Sequence, residues 1–285
     1  MMNFKRHKAM KPLFIISLIV SLLIFVFLVI ISYLSFKNII AKNTLSQILA
    51  EDDWLLALIG YFGGYAVIIL IVITIIFVLI QLANLSVTAI AHDIPVTEKQ
   101  FPELLKFEVE CAKKLGLKEV PNLYVDPAWE GEEKILGAKF ENGHILRIDA
   151  SELYNTANED YYIAKFTIAR KLAAMYLGDY NVALNAAIFF SHWIPILSQV
   201  NNRVICYMCD KIAVELLDKE TVIKALITKY TGYYITPLVN KEEYINSLEK
   251  ILKVKDIVFE NLFLDIPLAA YRLEAIIKDI DGRLF

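Results

Sequence analysis

The sequence predicts an α+β protein that is mainly helical, with two N-terminal transmembrane helices followed by a domain that contains a small antiparallel sheet. Two long charge-free apolar runs, an Asn-Gly turn between strand-like segments, and helical patterns that continue to the C-terminus carry this prediction. Hydrophobic residues make up 57% of the 285 residues and the mean hydropathy is +0.51, above the usual values for soluble proteins. We therefore expect a membrane anchor, residues 1–92, and a folded domain, residues 93–285.

The first apolar run, Pro12 to Phe36, contains no charged residue. A helix that spans a bilayer needs about 20 apolar residues, so this run is long enough. A signal peptide has a shorter apolar core, roughly 7–15 residues, and a small-residue cleavage site that this run lacks. The run predicts a retained transmembrane helix at about residues 12–36.

The second run, Trp54 to Ala91, is also free of charge and is too long for one span of the hydrocarbon core, which is about 30 Å thick. We expect an interfacial segment first, then a span at about residues 61–83, then a continuation towards the domain. Gly60 and Gly64 have the spacing that seats a partner helix, and a helix start or kink explains them equally well.

Basic residues predict the orientation of these spans. The segment before the first span carries more of them than the loop after it: Lys5, Arg6, Lys8 and Lys11 against Lys37 and Lys42. The N-terminus is therefore expected to be cytoplasmic, and two spans return the chain so that both termini are cytoplasmic. Cys111, Cys206 and Cys209 are too few for a disulfide framework and suit a reducing compartment. A net charge of −3 gives no electrostatic case for nucleic-acid binding, so the expected partner here is the lipid bilayer.

The domain begins with a short extended link at Ile94-Pro95, a helix from Phe101 to Leu115 and a strand from Asn122 to Asp126. The segments 134–140 and 144–149 flank Glu141-Asn142-Gly143, and Asn-Gly between such segments is a strong hairpin signal. In this hairpin Ile145 and Arg147 would share one face, Leu146 and Ile148 the other, with His144 solvated beside the turn.

Helical patterns fill the remainder of the domain. They cover Glu159–Leu177, Asn181–Val200, Arg203–Leu217, Thr221–Tyr230, Lys241–Leu252 and Pro267–Ile280. The stretch Ala186–Leu197 is nearly all apolar, and either a place in the core or a dip into the membrane surface explains it.

Several stretches, taken in order, resemble one family: Val120-Pro-Asn-Leu-Tyr-Val125, the hairpin Asn142-Gly-His-Ile-Leu-Arg-Ile148, the helix Phe166–Gly178, the motif Arg203-x-x-Cys206-Tyr-x-Cys209-Asp210-x-x-Ala213, and Pro267 with Arg272-Leu273. The chain resembles the integral-membrane zinc metallopeptidases of the HtpX and CAAX prenyl protease (Ste-type) kind. This resemblance implies a metallopeptidase-like domain of the gluzincin fold after the two spans.

The resemblance also implies where a zinc site would lie, and none of its expected ligands is present. Arg170 and Ala174 stand at the two histidine positions of His-Glu-x-x-His, and Lys171 stands at the general base. Cys206 replaces the ligand glutamate, and Ile266 replaces a histidine before Pro267. Catalytic zinc needs three protein ligands and an open water position, and a permanent arginine cation repels a metal ion. No metal, no cofactor and no zinc-dependent hydrolysis are expected.

In the family, an aspartate at the position of Asp210 supports the first histidine. We therefore expect an Arg170–Asp210 ion pair that links two helices where the metal would have linked them. The alternative is that Arg170 and Lys171 are ordinary solvated charges. Cys206 and Cys209, one turn apart on a helix, are interpreted as small apolar core residues.

The resemblance further implies a peptide-binding strand edge at His144, Ile145, Leu146 and Arg147, since the family binds its substrates by strand addition. Three functions follow as hypotheses. The first is an inactive membrane-anchored pseudopeptidase that binds or scaffolds unfolded or membrane-protein peptides. The second is a structural membrane protein without a groove function. The third is an enzyme of another mechanism, with the candidate groups Ser191, His192, Cys206 and Asp210.

Overall fold

A computed structural model describes residues 4, 6–41, 72, 76, 92–127, 139–140, 143–153, 161–178, 187–252, 254, 257, 261 and 264–284 of the chain. The helices are α1 (Met10–Ala41), α2 (Pro102–Leu115), α3 (Tyr162–Leu177), α4 (Pro195–Leu216), α5 (Lys219–Thr231), α6 (Lys241–Ile251) and α7 (Ala269–Lys278). The strands are β1 (Ile94–Pro95), β2 (Asn122–Asp126), β3 (Lys139–Phe140) and β4 (Gly143–Asp149). Short 3₁₀ helices lie at Ala150–Leu153, Phe189–Trp193 and Thr236–Leu238.

Helix α1 contains an apolar stretch, Met10–Ile30, whose 21 residues are long and apolar enough to cross a membrane. This stretch overlaps the first predicted span, and most of its large apolar side chains are exposed. The second predicted span, at residues 61–83, lies outside the described residues except for Val72 and Ile76, which are helical and exposed.

The strands form one small sheet in the order β1-β2-β4-β3. β1 is antiparallel to β2 and β3 is antiparallel to β4, but β2 and β4 are parallel, in register from Asn122 opposite Ile145 to Asp126 opposite Asp149. The prediction of an antiparallel sheet is therefore wrong for its central pair. The reason is that the β3–β4 hairpin presents its second strand to β2, and that strand runs in the direction of β2.

The hairpin itself is confirmed, with Lys139 opposite His144 and Phe140 opposite Gly143. Leu146 and Ile148 belong to the hydrophobic core, whereas Arg147 is turned towards charged partners. This alternation follows from the two-residue period of a strand and agrees with the predicted faces.

Two of the predicted helices are one helix in part. Asn181–Val200 and Arg203–Leu217 were expected as separate helices, but α4 runs without a break from Pro195 to Leu216. Proline fits at this start because the first turn needs no backbone N–H from it. Within the predicted helix Asn181–Val200, the 3₁₀ helix Phe189–Trp193 precedes α4. The polar residues Asn201 and Asn202 lie inside α4 and do not end a helix.

Helix α3 occupies the centre of the domain. It packs against α2, α4, α5 and β4, and its residues from Phe166 to Ala174 are all buried. Gly178 ends it in the left-handed conformation, with φ of 87°, as the sequence predicts for a glycine at this position. Charged side chains on such a helix must find partners inside the protein.

Candidate functional site

Two cationic side chains of α3 are buried. Arg170 is 6% exposed and Lys171 is 8% exposed, so the alternative of ordinary solvated charges is wrong for both. Moving a charged group out of water is costly unless it gains a partner of opposite charge or several hydrogen bonds. The contacts of these two side chains therefore define the candidate site.

Arg170 contacts Asp210 of α4, as the sequence predicts. Its Nε lies 2.9 Å from Oδ1 of Asp210, and Asp210 is only 2% exposed. This contact is an ion pair between two buried groups, and the attraction between its charges is stronger there than in water. The guanidinium also lies 5.6 Å from the centre of the Phe166 ring, within the range of a cation–π contact.

The stronger partner of Asp210 is Arg272 of α7. Arg272 Nε donates to Oδ2 at 2.8 Å and Nη2 donates to Oδ1 at 2.7 Å, which is the bidentate geometry that guanidinium and carboxylate favour. Nη1 of the same guanidinium donates to the hydroxyl of Tyr230 at 3.0 Å. Burial acts to lower the pKa of Arg272, but the attraction of Asp210 and its hydrogen bonds outweigh it and raise the pKa well above its ordinary value.

Arg170, Asp210 and Arg272 together form what we call the Asp210 cluster, which joins α3, α4 and α7. Sequence reasoning placed Arg272 in a motif but did not identify it as a site residue. One sequence feature could have identified Arg272 as a partner of Asp210. Arg272 belongs to the Pro267 and Arg272-Leu273 motif of the resemblance, and a buried Asp210 needs a cationic partner. Two cations share one carboxylate here, so the described groups of the cluster carry a net positive charge.

Cys206 is part of this environment and is not only a small apolar residue. Its Sγ accepts a hydrogen bond from Nη2 of Arg170 at 3.3 Å. Cys209, one turn further along α4, lies in the hydrophobic core as predicted. Both thiols are buried, and the pair forms no disulfide.

Lys171 points to the sheet. Its Nζ donates to the backbone carbonyl of Arg147 on β4. The Arg147 side chain is held in turn by Asp93, which precedes β1, and by Asp126 at the end of β2, with Nη2 of Arg147 2.9 Å from Oδ2 of Asp126. We call this second group of charges the β4 cluster.

The predicted peptide-binding edge is therefore not a bare strand edge. β4 lies between β2 and β3 in the sheet, and His144 is already paired with Lys139. Ile145 and Leu146 are buried, and the carbonyl of Arg147 is bound by Lys171. Among the described strands β3 pairs only with Gly143 and His144, so the described partner of Ile145 to Asp149 is β2 alone.

The remaining positions of the expected zinc site take no part in these contacts. Ala174 is fully buried in the hydrophobic core and has no atom that can bind a metal. Ile266 is 42% exposed in the segment that precedes α7. Among the residues that the structure describes, no three His, Cys, Asp or Glu side chains are grouped in a way that holds a metal ion.

The candidate groups for a non-zinc enzyme are not arranged as a nucleophile and a base. The Ser191 hydroxyl donates to the carbonyl of Ile188 at 2.6 Å, and Nδ1 of His192 lies 3.1 Å from the same carbonyl oxygen. Asp210 is bound to arginines elsewhere in the fold.

Comparison of the chain with protein-family models gives no match. Comparisons with curated proteins and with solved structures give none either. The residues of the site itself are therefore the basis for any functional statement.

Proposed function

We propose that this chain is a membrane-anchored pseudopeptidase, a non-catalytic protein on a zinc-peptidase-like framework in which the Asp210 cluster replaces the metal. The observation that carries this proposal is the placement of two buried guanidinium groups, Arg170 and Arg272, on one carboxylate. Guanidinium is a permanent cation with no lone pair to offer, so it repels a divalent ion and cannot activate water. Lys171 at the general-base position is committed to a backbone carbonyl.

The test of the missing chemistry is metal analysis of the purified full-length chain beside a casein-cleavage assay. We expect neither stoichiometric zinc nor turnover. One zinc ion per chain together with cleavage that a chelator abolishes would contradict the proposal.

A gain-of-binding experiment tests the framework. The fourfold variant Arg170→His, Lys171→Glu, Ala174→His and Cys206→Glu restores the ligand set that the resemblance implies. Nη2 of Arg170 already lies 3.3 Å from Sγ of Cys206, so a histidine at position 170 and a glutamate at position 206 would lie close together. We expect this variant to bind one zinc ion, and the threefold variant that keeps Cys206 to bind it more weakly. A folded fourfold variant with no affinity for zinc would contradict the peptidase-like framework.

We propose that the chain binds or scaffolds unfolded or membrane-protein peptides beside β4. Strand addition needs backbone N–H and C=O groups that a peptide can reach. On β4 the carbonyl of Arg147 is bound by Lys171 Nζ, and loss of that bond would leave the carbonyl able to accept from a peptide. Lys171 would thus compete with a peptide for this carbonyl.

This competition gives a direct test. Lys171→Met removes the ammonium and keeps the length of the side chain, so peptide affinity should rise. Lys165→Met is the matched control, because Lys165 lies on the same helix and its Nζ is 5.9 Å from the centre of the Phe107 ring. Binding of a fluorescent unfolded peptide to the full chain in nanodiscs measures both. Equal affinities for the two variants and the wild type would count against binding at β4.

The second candidate, a structural membrane protein without a groove function, is favoured by the same two clusters. Lys171 and Arg147 bridge α3, β1, β2 and β4, and such bridging is what a scaffold without a ligand requires. Under this alternative Lys171→Met lowers the stability of the chain and creates no affinity for peptide. Measuring both properties on one variant therefore separates the two candidates.

The orientation of the anchor belongs to the same proposal. The basic residues before α1 favour a cytoplasmic N-terminus, and a second span would return the domain to that side. Protease protection of membrane vesicles with epitope tags at both termini tests this, and tags digested from opposite sides would contradict it.

A further inference from the structure

The described N-terminal segment does not stand apart from the domain. Contacts join α1 and the residues before it to later parts of the chain, and they run in reverse order: His7 with Met208, Ser17 with Asn201, Ser21 with Ser191, and Phe25 with Phe190. This order means that α4 runs antiparallel to α1. It also means that the 3₁₀ helix Phe189–Trp193 lies beside the middle of the apolar stretch of α1.

The depth of these contacts follows from helix geometry. At about 1.5 Å per residue, the 21 residues of Met10–Ile30 match a hydrocarbon core of about 30 Å. Ser21 lies roughly 16 Å along this stretch from Met10, close to its centre. If α1 spans the bilayer, Ser191 lies near the middle of that bilayer, and Asn201 lies between the middle and the surface.

The chain enters and leaves the region beside α1 at the same end of α1. On the N-terminal side of the 3₁₀ helix, Tyr176 at the end of α3 makes an edge-to-face contact with Phe4, which lies before the start of α1, with ring centres 5.5 Å apart. After it, Met208 of α4 accepts a hydrogen bond from the backbone N–H of His7, at the same end. Both ends of the segment are therefore at the level where α1 begins.

Two polar groups of the segment, one in the 3₁₀ helix and one in α4, bond to serine hydroxyls of α1. The backbone N–H of Ser191 donates to Oγ of Ser21 at 2.9 Å, and Nδ2 of Asn201 donates to Oγ of Ser17 at 2.7 Å. Ser17, Ser21 and Ser191 are buried, the first and last completely. Non-helical backbone at membrane depth is tolerated only where protein buries it and satisfies its hydrogen bonds. The backbone N–H groups of Ser191 and Ile194 have such partners.

The exposed side chains of the segment include two isoleucines and one histidine. Ile194 and Ile196 are 40% and 45% exposed. His192 is also exposed, and its Nδ1 lies 3.1 Å from the backbone carbonyl oxygen of Ile188. From Asn181 to Asn202 the sequence has no Asp, Glu, Lys or Arg. The next charge, Arg203, is fully buried and donates to the backbone carbonyls of Gln199 and Asn261.

We propose that residues 187–201 form a re-entrant segment, which lies in the bilayer beside α1 and exposes Ile194 and Ile196 to lipid acyl chains. The two serines of α1 hold the segment in place. This decides between the two interpretations of the apolar stretch Ala186–Leu197 in favour of the membrane. It also places the Asp210 cluster just outside the bilayer, because Cys206 and Asp210 flank Met208 on α4.

Spin labels on the full chain in phosphatidylcholine nanodiscs test the proposal. Single cysteines replace Ile196, Leu22 of α1 and Val109 of α2, which are 45%, 60% and 42% exposed. Val109 is the matched control, a similarly exposed β-branched residue on a helix whose neighbouring Glu110 and Lys113 are exposed. The three native cysteines are buried, and the wild-type chain treated in parallel gives their background labelling.

Molecular oxygen concentrates in the bilayer and a nickel chelate stays in water, so the ratio of their collision rates reports depth. The ratio at Ile196 should match that at Leu22 and exceed that at Val109 several-fold. A ratio at Ile196 equal to that at Val109 would overturn the proposal. A label at Ile196 shielded from both reagents would also overturn it, since a second copy of the chain would then cover this face. A water-like ratio at Leu22 would show that α1 does not span the bilayer, and the re-entrant segment would fall with it.

Discussion

The substitution Asp210→Asn should disturb the fold more than any single change at either arginine of the Asp210 cluster. Asparagine has the shape of aspartate but no charge, so the variant leaves Arg170 and Arg272 buried without their common counter-ion. Breaking a buried ion pair by removing one partner costs about 3–5 kcal/mol. We expect the upper end of this range, because Asp210 and Arg272 are each 2% exposed and a second guanidinium lies 2.9 Å from the same carboxylate.

Arg170→Met should cost much less, about 1–2 kcal/mol, because the bidentate pair of Asp210 with Arg272 stays intact. In the double variant Asp210→Asn with Arg170→Met, one unpaired cation disappears, so the double variant should be more stable than the sum of the single effects predicts. Denaturant unfolding of the full chain in detergent micelles measures all three. The reasoning is refuted if Asp210→Asn costs under about 1 kcal/mol, or if Arg170→Met is equally damaging.

Three further changes have defined outcomes. Burial raises the pKa of Glu108 from 4.5 to about 8, so the folded chain holds this proton more tightly than the unfolded chain and loses stability as pH rises from 4.5 to 8. Glu108→Gln should remove that loss, roughly 3–5 kcal/mol, when unfolding is measured at pH 5 and pH 8. The control Glu110→Gln, at an exposed position, should not remove it. Asp218→Ala deletes the N-cap of α5, whose carboxylate accepts from the backbone N–H of Thr221 at 2.8 Å, and should lower stability by about 1 kcal/mol, with Asp218→Asn as the retaining control. Gly282→Ala places a Cβ in steric overlap with the ring of Tyr207 and should cost about 1–3 kcal/mol in thermal unfolding. An unchanged midpoint would mean that the C-terminal segment does not pack there.

Features that depend on neighbouring residues were predictable from the sequence. The strand Asn122–Asp126 has the predicted bounds, and Gly116 and Gly178 end α2 and α3 in the left-handed conformation. Each of these signals acts within one turn or one strand, so a single sequence contains all of it. The burial of Glu108 was not predicted, although it lies four residues after Leu104 and three before Cys111 on the buried face of α2.

Features that depend on where distant segments meet were not predictable. The parallel pairing of β2 with β4 depends on how the hairpin is placed, and no local pattern states this. Asn201 and Asn202 resemble a break between helices, but α4 continues because α1 supplies the Ser17 hydroxyl to Asn201. The Arg170–Asp210 pair was predicted through a resemblance, whereas the contact of Asp210 with Arg272 depends on how α7 packs against α4.

We expect the residues of the Asp210 cluster to be energetically coupled, because Arg170 and Arg272 share one carboxylate. Restoring histidine at Arg170 alone would leave Asp210 bound to Arg272. It would offer a metal at most two ligands, the new histidine and the Cys206 thiolate, because Ala174 has no donor atom. The variant would lose an ion pair and gain no zinc to offset the loss. Stability in the Arg170→His chain should therefore fall and stay independent of added zinc, whereas the fourfold variant should be stabilised by zinc. A single Arg170→His chain that zinc stabilises would show that other residues already form most of a metal site, and the Asp210 cluster would then be no substitute for one.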